Sequence, residues 1–228
     1  MHWSNLAIAV LVLALPAGNT AAAQQPIPAP APRFVVVLDA AHGGDDTGAH
    51  LDSGQLEKAV NLTLNVRLRS LLSARGIQVV TTRESDSSVA LDKRAEIANH
   101  AKAGACLSLH ASESGAGIHL FASSLPPAQP ARFTAWKTAQ AASVTRSLAL
   151  AGILNSALAH AGFNVTLGRT ALPAVDSMTC PAIAVEIAPE RGDDNKILSE
   201  PDNPDYQARV ALALAAAVVQ WRTEARQP

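Results

Sequence analysis

Short apolar runs alternate with longer amphipathic segments from about residue 33 to residue 224. Strands are predicted where five or six successive residues are mostly apolar or β-branched, at 34–38, 77–82, 106–110, 117–121 and 182–187. Helices are predicted where apolar residues recur every three or four positions, at 56–75, 91–103, 133–161 and 205–222. This alternation predicts an α/β fold: an open, twisted, mainly parallel sheet with helices on both faces, in a single domain.

The spacing also predicts which helix positions are buried. In the first helix these are Val60, Leu64, Leu68, Leu71 and Leu72, and in the last they are Val210, Leu214, Val218 and Trp221. Gly76 is placed to end the first helix. Three segments are less regular: a helix break is expected near Gly152, a loop with at most a short strand over 163–179, and a charged turn over 189–194.

The first 23 residues resemble a signal peptide. Residues 6–15 form an unbroken apolar run, too short to span a bilayer as a helix, and three alanines at 21–23 supply a cleavage pattern after Ala23. No Lys or Arg precedes the run, so an uncleaved anchor is the alternative. Residues 24–32 are a proline-rich linker. We therefore expect an exported protein, periplasmic or extracellular, with no stable membrane span after signal removal and a catalytic domain over 33–224.

Composition and charge argue against nucleic acid as a binding partner. The 228 residues carry a formal net charge of -1 and only 4% aromatic residues, so neither a basic surface nor base stacking points to nucleic acid.

Two cysteines lie next to predicted strands, Cys106 and Cys180. After export, a disulfide between them is feasible. The alternative, two small buried apolar residues, is favoured here because sequence alone cannot bring the two Cα atoms within bonding range. Neither cysteine is expected to be catalytic.

Reactive side chains follow three predicted strands. The first strand runs into His42 within the glycine turn 42–44, the third ends at His110, and the last leads to Glu186. Because the carboxyl ends of parallel strands form the binding crevice of an α/β sheet, these residues are expected to lie close together. Glu57 begins the helix that follows the His42 turn.

Two imidazoles and a carboxylate suit zinc, whose catalytic sites use three protein ligands. His42, Glu57 and His110 are therefore predicted to bind Zn²⁺, with Glu186 as general acid and base. Singly, each has a simpler explanation: a structural histidine, a first-turn carboxylate or a salt-bridge partner. The combination favours the metal site. The remaining histidines of the domain are interpreted as structural or exposed: His50, His100, His119 and His160.

Five ordered blocks resemble the zinc-dependent N-acetylmuramoyl-L-alanine amidases, the type 3 amidase family. They are VLDAAHGGDDTGA at 37–49; LEK with NL at 56–62; TR at 82–83 with Arg94 and AN at 98–99; SLHA at 108–111; and PAIAVE at 181–186. The resemblance extends from about residue 33 to residue 221. It implies hydrolysis of the amide between N-acetylmuramic acid and L-alanine in peptidoglycan, with His42, Glu57 and His110 as zinc ligands and Glu186 as the catalytic glutamate.

The chain also departs from that family. Ala40 and Ala41 replace a Pro-Gly pair, Ser112 replaces an asparagine, and residues 187–190 differ from the stretch that usually follows the catalytic glutamate. Arg83 and Arg94 match family positions and are interpreted as structural or ion-paired.

Two other functions stay open: an inactive peptidoglycan-binding or regulatory protein on the same fold, and a zinc peptidase or amidase with another substrate. A protein activator is left open too, because nothing in the chain identifies an inhibitory plug.

Overall fold

The computed structural model describes residues 33–129 and 135–225; the predicted signal peptide and linker lie outside them. The strands are β1 (Val35–Ala40), β2 (Gln78–Thr81), β3 (Ala105–Ala111), β4 (Ile118–Ser123), β5 (Val165–Thr170), β6 (Ala182–Ile187), β7 (Glu190–Arg191) and β8 (Ile197–Ser199). The α-helices are α1 (Glu57–Ser73), α2 (Leu91–His100), α3 (Val144–His160), α4 (Pro173–Asp176) and α5 (Pro204–Glu224). A 3₁₀ helix, Trp136–Ala142, precedes α3. Within the described ranges, no helix combines the length and apolar character needed to cross a bilayer.

Six strands form one sheet in the order β2-β1-β3-β6-β4-β5. The first four strands in this order are parallel to one another, β4 is antiparallel to β6, and β5 is parallel to β4. The predicted α/β fold with a mainly parallel sheet is therefore confirmed. The single antiparallel junction brings the start of β4 to the same edge as the ends of β1, β3 and β6.

Apolar side chains pack on both faces of the sheet. The larger cluster includes Leu38, Leu107 and Val185 from central strands and the inward faces of α1, α3 and α5. A smaller cluster on the opposite face joins Val37 and Cys106 to residues of α2 and to the segment around α4. The second face is thus covered near the amino-terminal halves of these strands, and the candidate site lies beyond that cover, at their carboxyl ends.

The predicted helix over 133–161 is two elements in the described part of the chain. It breaks at Ser143, not near Gly152, where α3 is continuous. The reason is tertiary: the Ser143 hydroxyl donates a 2.6 Å hydrogen bond to the Thr179 carbonyl, and the Gln140 amide donates to the carbonyls of Met178 and Cys180. The spacing of apolar residues contains no information on these hydrogen bonds, so it could not predict the break at Ser143.

Two further elements were not predicted in full. Segment 163–179 contains a six-residue strand, β5, and the short helix α4. Segment 189–194 contains β7, which pairs with β8. β5 is an edge strand with mostly exposed residues, so it lacks the alternation of buried and exposed positions that would have identified it.

Cys106 and Cys180 form a disulfide, with their Cα atoms 6.1 Å apart. The favoured interpretation of two unbonded buried residues was therefore wrong, although both side chains are buried. The physical reason is strand register. Cys106 pairs with Ala182, so the segment leading into β6 passes beside the third strand.

Candidate metal centre

The four predicted site residues come from the positions where the sheet meets its loops. His110 and Glu186 are register partners on adjacent parallel strands, so they occupy the same face of the sheet. His42 follows the end of β1, and Glu57 is the first residue of α1. The topology therefore brings the carboxyl ends of β1, β3 and β6 and the start of α1 to one edge of the sheet.

The loop after β1 has an unusual backbone. His42 has a φ of 62°, in the left-handed region that non-glycine residues seldom adopt. Gly48 has a φ of 65°, and a Cβ there would lie 2.6 Å from Oε2 of Glu57 and 2.8 Å from Cδ2 of His42. The loop thus needs glycine at position 48 to pass between these two side chains.

Two imidazoles converge on one buried carboxylate. Nε2 of His42 lies 3.2 Å from Oε2 of Glu57, and Nδ1 of His110 lies 3.1 Å from Oε1 of the same carboxylate. The imidazole rings are nearly perpendicular, with centroids 5.5 Å apart. One ligand atom from each residue falls within 4.8 Å of the others. Such a group has the size and the donor types of a zinc site.

Glu57 is held in place by donors from three directions. It is 5% exposed and accepts hydrogen bonds from the backbone amides of Ala49 and Ala111 and from the side-chain amide of Asn61. Burial raises the pKa of this carboxyl, but hydrogen bonds from His110, His42 and the Ala49 amide outweigh burial and hold the pKa well below its usual range. Glu57 is therefore charged at neutral pH.

Asp46 orients His42. Oδ1 of Asp46 lies 2.8 Å from Nδ1 of His42 and also accepts the amide of Gly48 at 3.2 Å. A charged carboxylate only accepts hydrogen bonds, so the Nδ1–H of His42 donates to Asp46, and Nε2 is the nitrogen that faces Glu57. The hydrogen bond to Glu57 raises the pKa of His42, with Asp46 adding to the effect and burial opposing it.

Ser108 orients His110 in the same way. Its hydroxyl donates a 2.7 Å hydrogen bond to Oδ2 of Asp39, which leaves the oxygen free to accept from Nε2 of His110 at 3.4 Å. Nδ1 of His110 is then the nitrogen that faces Glu57. Two imidazole nitrogens and a carboxylate that face one another are the donor types of a divalent metal site.

Two arginines hold the loop that carries His42. Arg94 forms a buried ion pair with Asp39 at 2.6 Å and donates to the carbonyls of Ala40 and His42. Arg83 donates to the carbonyls of Ala40 and Ala41. The prediction that both arginines are structural or ion-paired is confirmed.

Glu186 lies beside the three converging ligands without joining them. It is half-buried, next to His110 on one side and in register with His119 of β4 on the other. Because β4 is antiparallel, His119 shares this face of the sheet, where Nδ1 lies within hydrogen-bonding distance of Oγ1 of Thr166. This half-buried carboxylate, on the strand beside His110, is accessible to solvent at this edge of the sheet.

Sequence reasoning missed the two residues that orient the histidines, Asp46 and Ser108. Both lie within the matched motif blocks, and each is within four residues of its histidine. A hydrogen-bonding side chain so close to a metal-binding histidine is a usable signal, since the second imidazole nitrogen of such a ligand is almost always bonded.

Comparison of the sequence with known proteins identifies a matching family and several relatives. The family model described as N-acetylmuramoyl-L-alanine amidase matches residues 36–220, which is most of the chain. The chain is 42% identical over 92 residues to N-acetylmuramoyl-L-alanine amidase AmiA of Escherichia coli, covering 39% of this chain and 32% of AmiA. It is 34% identical over 107 residues to N-acetylmuramoyl-L-alanine amidase LytC of Bacillus subtilis, covering 47% of this chain and 21% of LytC. The matched segments thus span a third or less of these relatives.

Solved structures share the fold. The catalytic domain of CwlV, an N-acetylmuramoyl-L-alanine amidase from Bacillus (Paenibacillus) polymyxa var. colistinus, superposes with a TM-score of 0.66 at 23% identity, covering 83% of this chain and 98% of that domain. Ami1 from Mycobacterium smegmatis gives 0.67 at 21% identity, covering 84% and 97%. At this level of identity the likeness concerns the fold alone.

Proposed function

The chain belongs to the N-acetylmuramoyl-L-alanine amidase family, and from this premise we propose that it hydrolyses the amide between N-acetylmuramic acid and L-alanine in peptidoglycan. The observation that carries the proposal is the convergence of His42, Glu57 and His110 at the carboxyl edge of the sheet, with Glu186 on the adjacent strand. A binding protein without catalysis has no need of three convergent metal ligands beside a half-buried carboxylate.

We propose that the three converging residues hold zinc through Nε2 of His42, a carboxylate oxygen of Glu57 and Nδ1 of His110. When bound, zinc lowers the pKa of water and polarises a carbonyl oxygen. Asp46 and Ser108 contact the outer nitrogens of the two imidazoles, so Nε2 of His42 and Nδ1 of His110 would bind the ion in place of their hydrogen bonds to Glu57.

Glu186 is proposed to move the proton. Its carboxylate accepts a proton from the water that attacks the amide carbonyl carbon, and the carboxylic acid formed returns that proton to the alanine nitrogen as the C–N bond breaks. The products are the muramoyl carboxylate and a peptide with a free L-alanine amino group. One carboxylate therefore serves first as base and then as acid, and it ends the cycle unchanged.

The organisation of the chain is part of the proposal. Residues 1–23 would direct export, 24–32 would act as a linker, and 33–224 would be the catalytic domain, acting in the periplasm or outside the cell. This arrangement matches a substrate that lies beyond the cytoplasmic membrane, since peptidoglycan surrounds the cell.

The direct test is product analysis. The protein is incubated with purified peptidoglycan in zinc-containing buffer, with and without a chelator, and the soluble products are identified by mass spectrometry. We expect stem peptides with L-alanine amino termini, absent when the chelator is present and restored by added zinc. Cleavage at another amide would favour a different zinc hydrolase, and binding without cleavage would favour the inactive protein.

A further inference from the structure

A preformed groove leads away from the metal centre between α2, α4 and the 3₁₀ helix; we call it the Trp136 groove. It consists of two cavities, of about 600 and 540 Å³, which share Asp92, Trp136 and Ser177. Because three residues line both cavities, they form one continuous channel on the surface. Its combined size suits an extended ligand.

The Trp136 groove adjoins the metal centre. A cavity of about 270 Å³ at the centre is lined by His42, His110 and Leu91, and Leu91 also lines the groove. On the opposite wall, Ala174 lines the cavity at the centre and its neighbour Pro173 lines the groove. A substrate bound with its amide at the metal centre therefore has a path into the groove.

Trp136 is the most prominent side chain in the groove. It is 56% exposed, and the ammonium of Lys137 lies 5.5 Å from the centre of its ring. Leaving this much of an indole in water is unfavourable, whereas stacking a ligand on it removes apolar surface from water. The flat, electron-rich face of an indole suits the C–H bonds on the apolar side of a pyranose ring.

The floor of the groove is rigid. The side-chain amide of Asn99 donates to the Ser177 carbonyl at 3.0 Å, and its oxygen accepts both the amide and the hydroxyl of Thr179, at 2.7 and 3.0 Å. The disulfide at Cys180 fixes the next residue of this segment. A ligand entering the groove thus meets a floor that is already ordered, which lowers the entropic cost of binding.

The wall that carries Trp136 is anchored from within. Gln140, in the same 3₁₀ helix, is fully buried; its amide nitrogen donates to the carbonyls of Met178 and Cys180, and its oxygen accepts the Ser147 hydroxyl. Trp136 thus lies four residues before this buried polar network, on the other side of a kink at Thr138.

We propose that the Trp136 groove binds the N-acetylated glycan portion of peptidoglycan, an inference that rests on the proposed function and specifies where that substrate lies. The groove carries the carboxylates of Asp92, Glu96 and Asp176 beside the ammonium of Lys137 and the imidazole of His100. Carboxylates accept hydrogen bonds from the hydroxyl and acetamido N–H groups of a neutral amino sugar. The exposed indole of Trp136 and these acceptors together assign the glycan to this groove and leave the peptide to the side of Glu186.

Binding of sugar and peptide probes to the chelator-treated protein tests this assignment without requiring turnover. Isothermal titration calorimetry is performed with chitotetraose, the tetramer of N-acetylglucosamine, and separately with the dipeptide L-Ala–D-Glu. We expect chitotetraose to bind more tightly than the dipeptide. Trp136→Ala should weaken that binding by about tenfold or more, as for other central tryptophans at binding sites. Trp136→Phe should retain part of the affinity, and Asp92→Asn should weaken it several-fold.

Leu198→Ala is the matched control, because Leu198 is 65% exposed and lies on β8, away from the groove. It should bind chitotetraose as the wild type does. Equal affinity in the wild type and Trp136→Ala, no binding of chitotetraose, or tighter binding of the dipeptide would each overturn the assignment. Since the metal is absent from these titrations, an inactive protein that binds chitotetraose would contradict the proposed hydrolysis and leave the groove assignment standing.

Discussion

At the scale of single residues, the candidate centre depends on two side chains outside the His42–Glu57–His110 group. Asp46 orients His42 from the loop, and Ser108 orients His110 from within β3. Each contacts the imidazole nitrogen that faces away from Glu57. The ligand set is thus organised by its surroundings, as second-sphere partners organise metal sites generally.

Removing Asp46 should weaken zinc binding without unfolding the protein. In Asp46→Ala, His42 loses the partner that fixes its ring, and we expect zinc affinity to fall by about 10- to 100-fold. The measurement is a competition titration with a chromophoric chelator. Asp45→Ala is the control, because Asp45 is exposed and adjacent in the chain. Equal zinc affinity in the two variants would show that Asp46 does not orient His42.

Gly48 offers a second test at this scale. Gly48→Ala places a methyl group against Glu57 and His42, so it should lower both the melting temperature and zinc affinity. Gly54→Ala is the matched control: it has a similar positive φ, but its Cβ would meet nothing within 4 Å. It should lose only the backbone contribution, about 1 to 2 kcal/mol of unfolding free energy. If Gly54→Ala lost as much zinc affinity as Gly48→Ala, contact with the ligands would not be the cause.

At the scale of elements, the site is assembled by parallel strand ends and one helix start. The alternation of apolar runs was sufficient to predict β6 at its observed bounds, and the buried positions Val60, Leu64, Leu68 and Leu72 of α1. Leu71, also predicted to be buried, is only partly buried. It also placed His42, Glu57, His110 and Glu186 at element ends. Strand β5, the β7–β8 pair and the break at Ser143 were not predictable in this way, because edge exposure and tertiary hydrogen bonds determine them rather than hydrophobic periodicity.

The disulfide is the strongest constraint between elements. It closes a loop with a sequence separation of 74, for which chain entropy implies a stabilisation of about 4.5 kcal/mol as an upper value. We expect Cys106→Ala to unfold at a lower denaturant concentration than the oxidised wild type. A reduced wild type should behave like that variant. An unchanged unfolding midpoint after reduction of the wild type would mean that the bond adds no stability in solution.

At the scale of the whole molecule, the residues of the main hydrophobic core are separate from the residues of the candidate site. The large cluster between the sheet and α1, α3 and α5 contains none of the four site residues, so the fold does not depend on the metal for its core. The opposite face holds the candidate metal centre and, beside it, the Trp136 groove, whose wall and floor are anchored by Gln140, Asn99 and the disulfide. This division allows the site residues to be replaced without loss of the fold.

We propose that Glu186 transfers the proton in an amide hydrolysis at the His42–Glu57–His110 centre. The most direct measurement compares wild type and Glu186→Gln at equal zinc content, counting peptides with new L-alanine amino termini released from peptidoglycan. We expect Glu186→Gln to keep its zinc and to lose about 10²- to 10⁴-fold in rate, whereas His110→Ala should lose both zinc and activity. Near-normal release of L-alanine termini by zinc-loaded Glu186→Gln would contradict the role of Glu186.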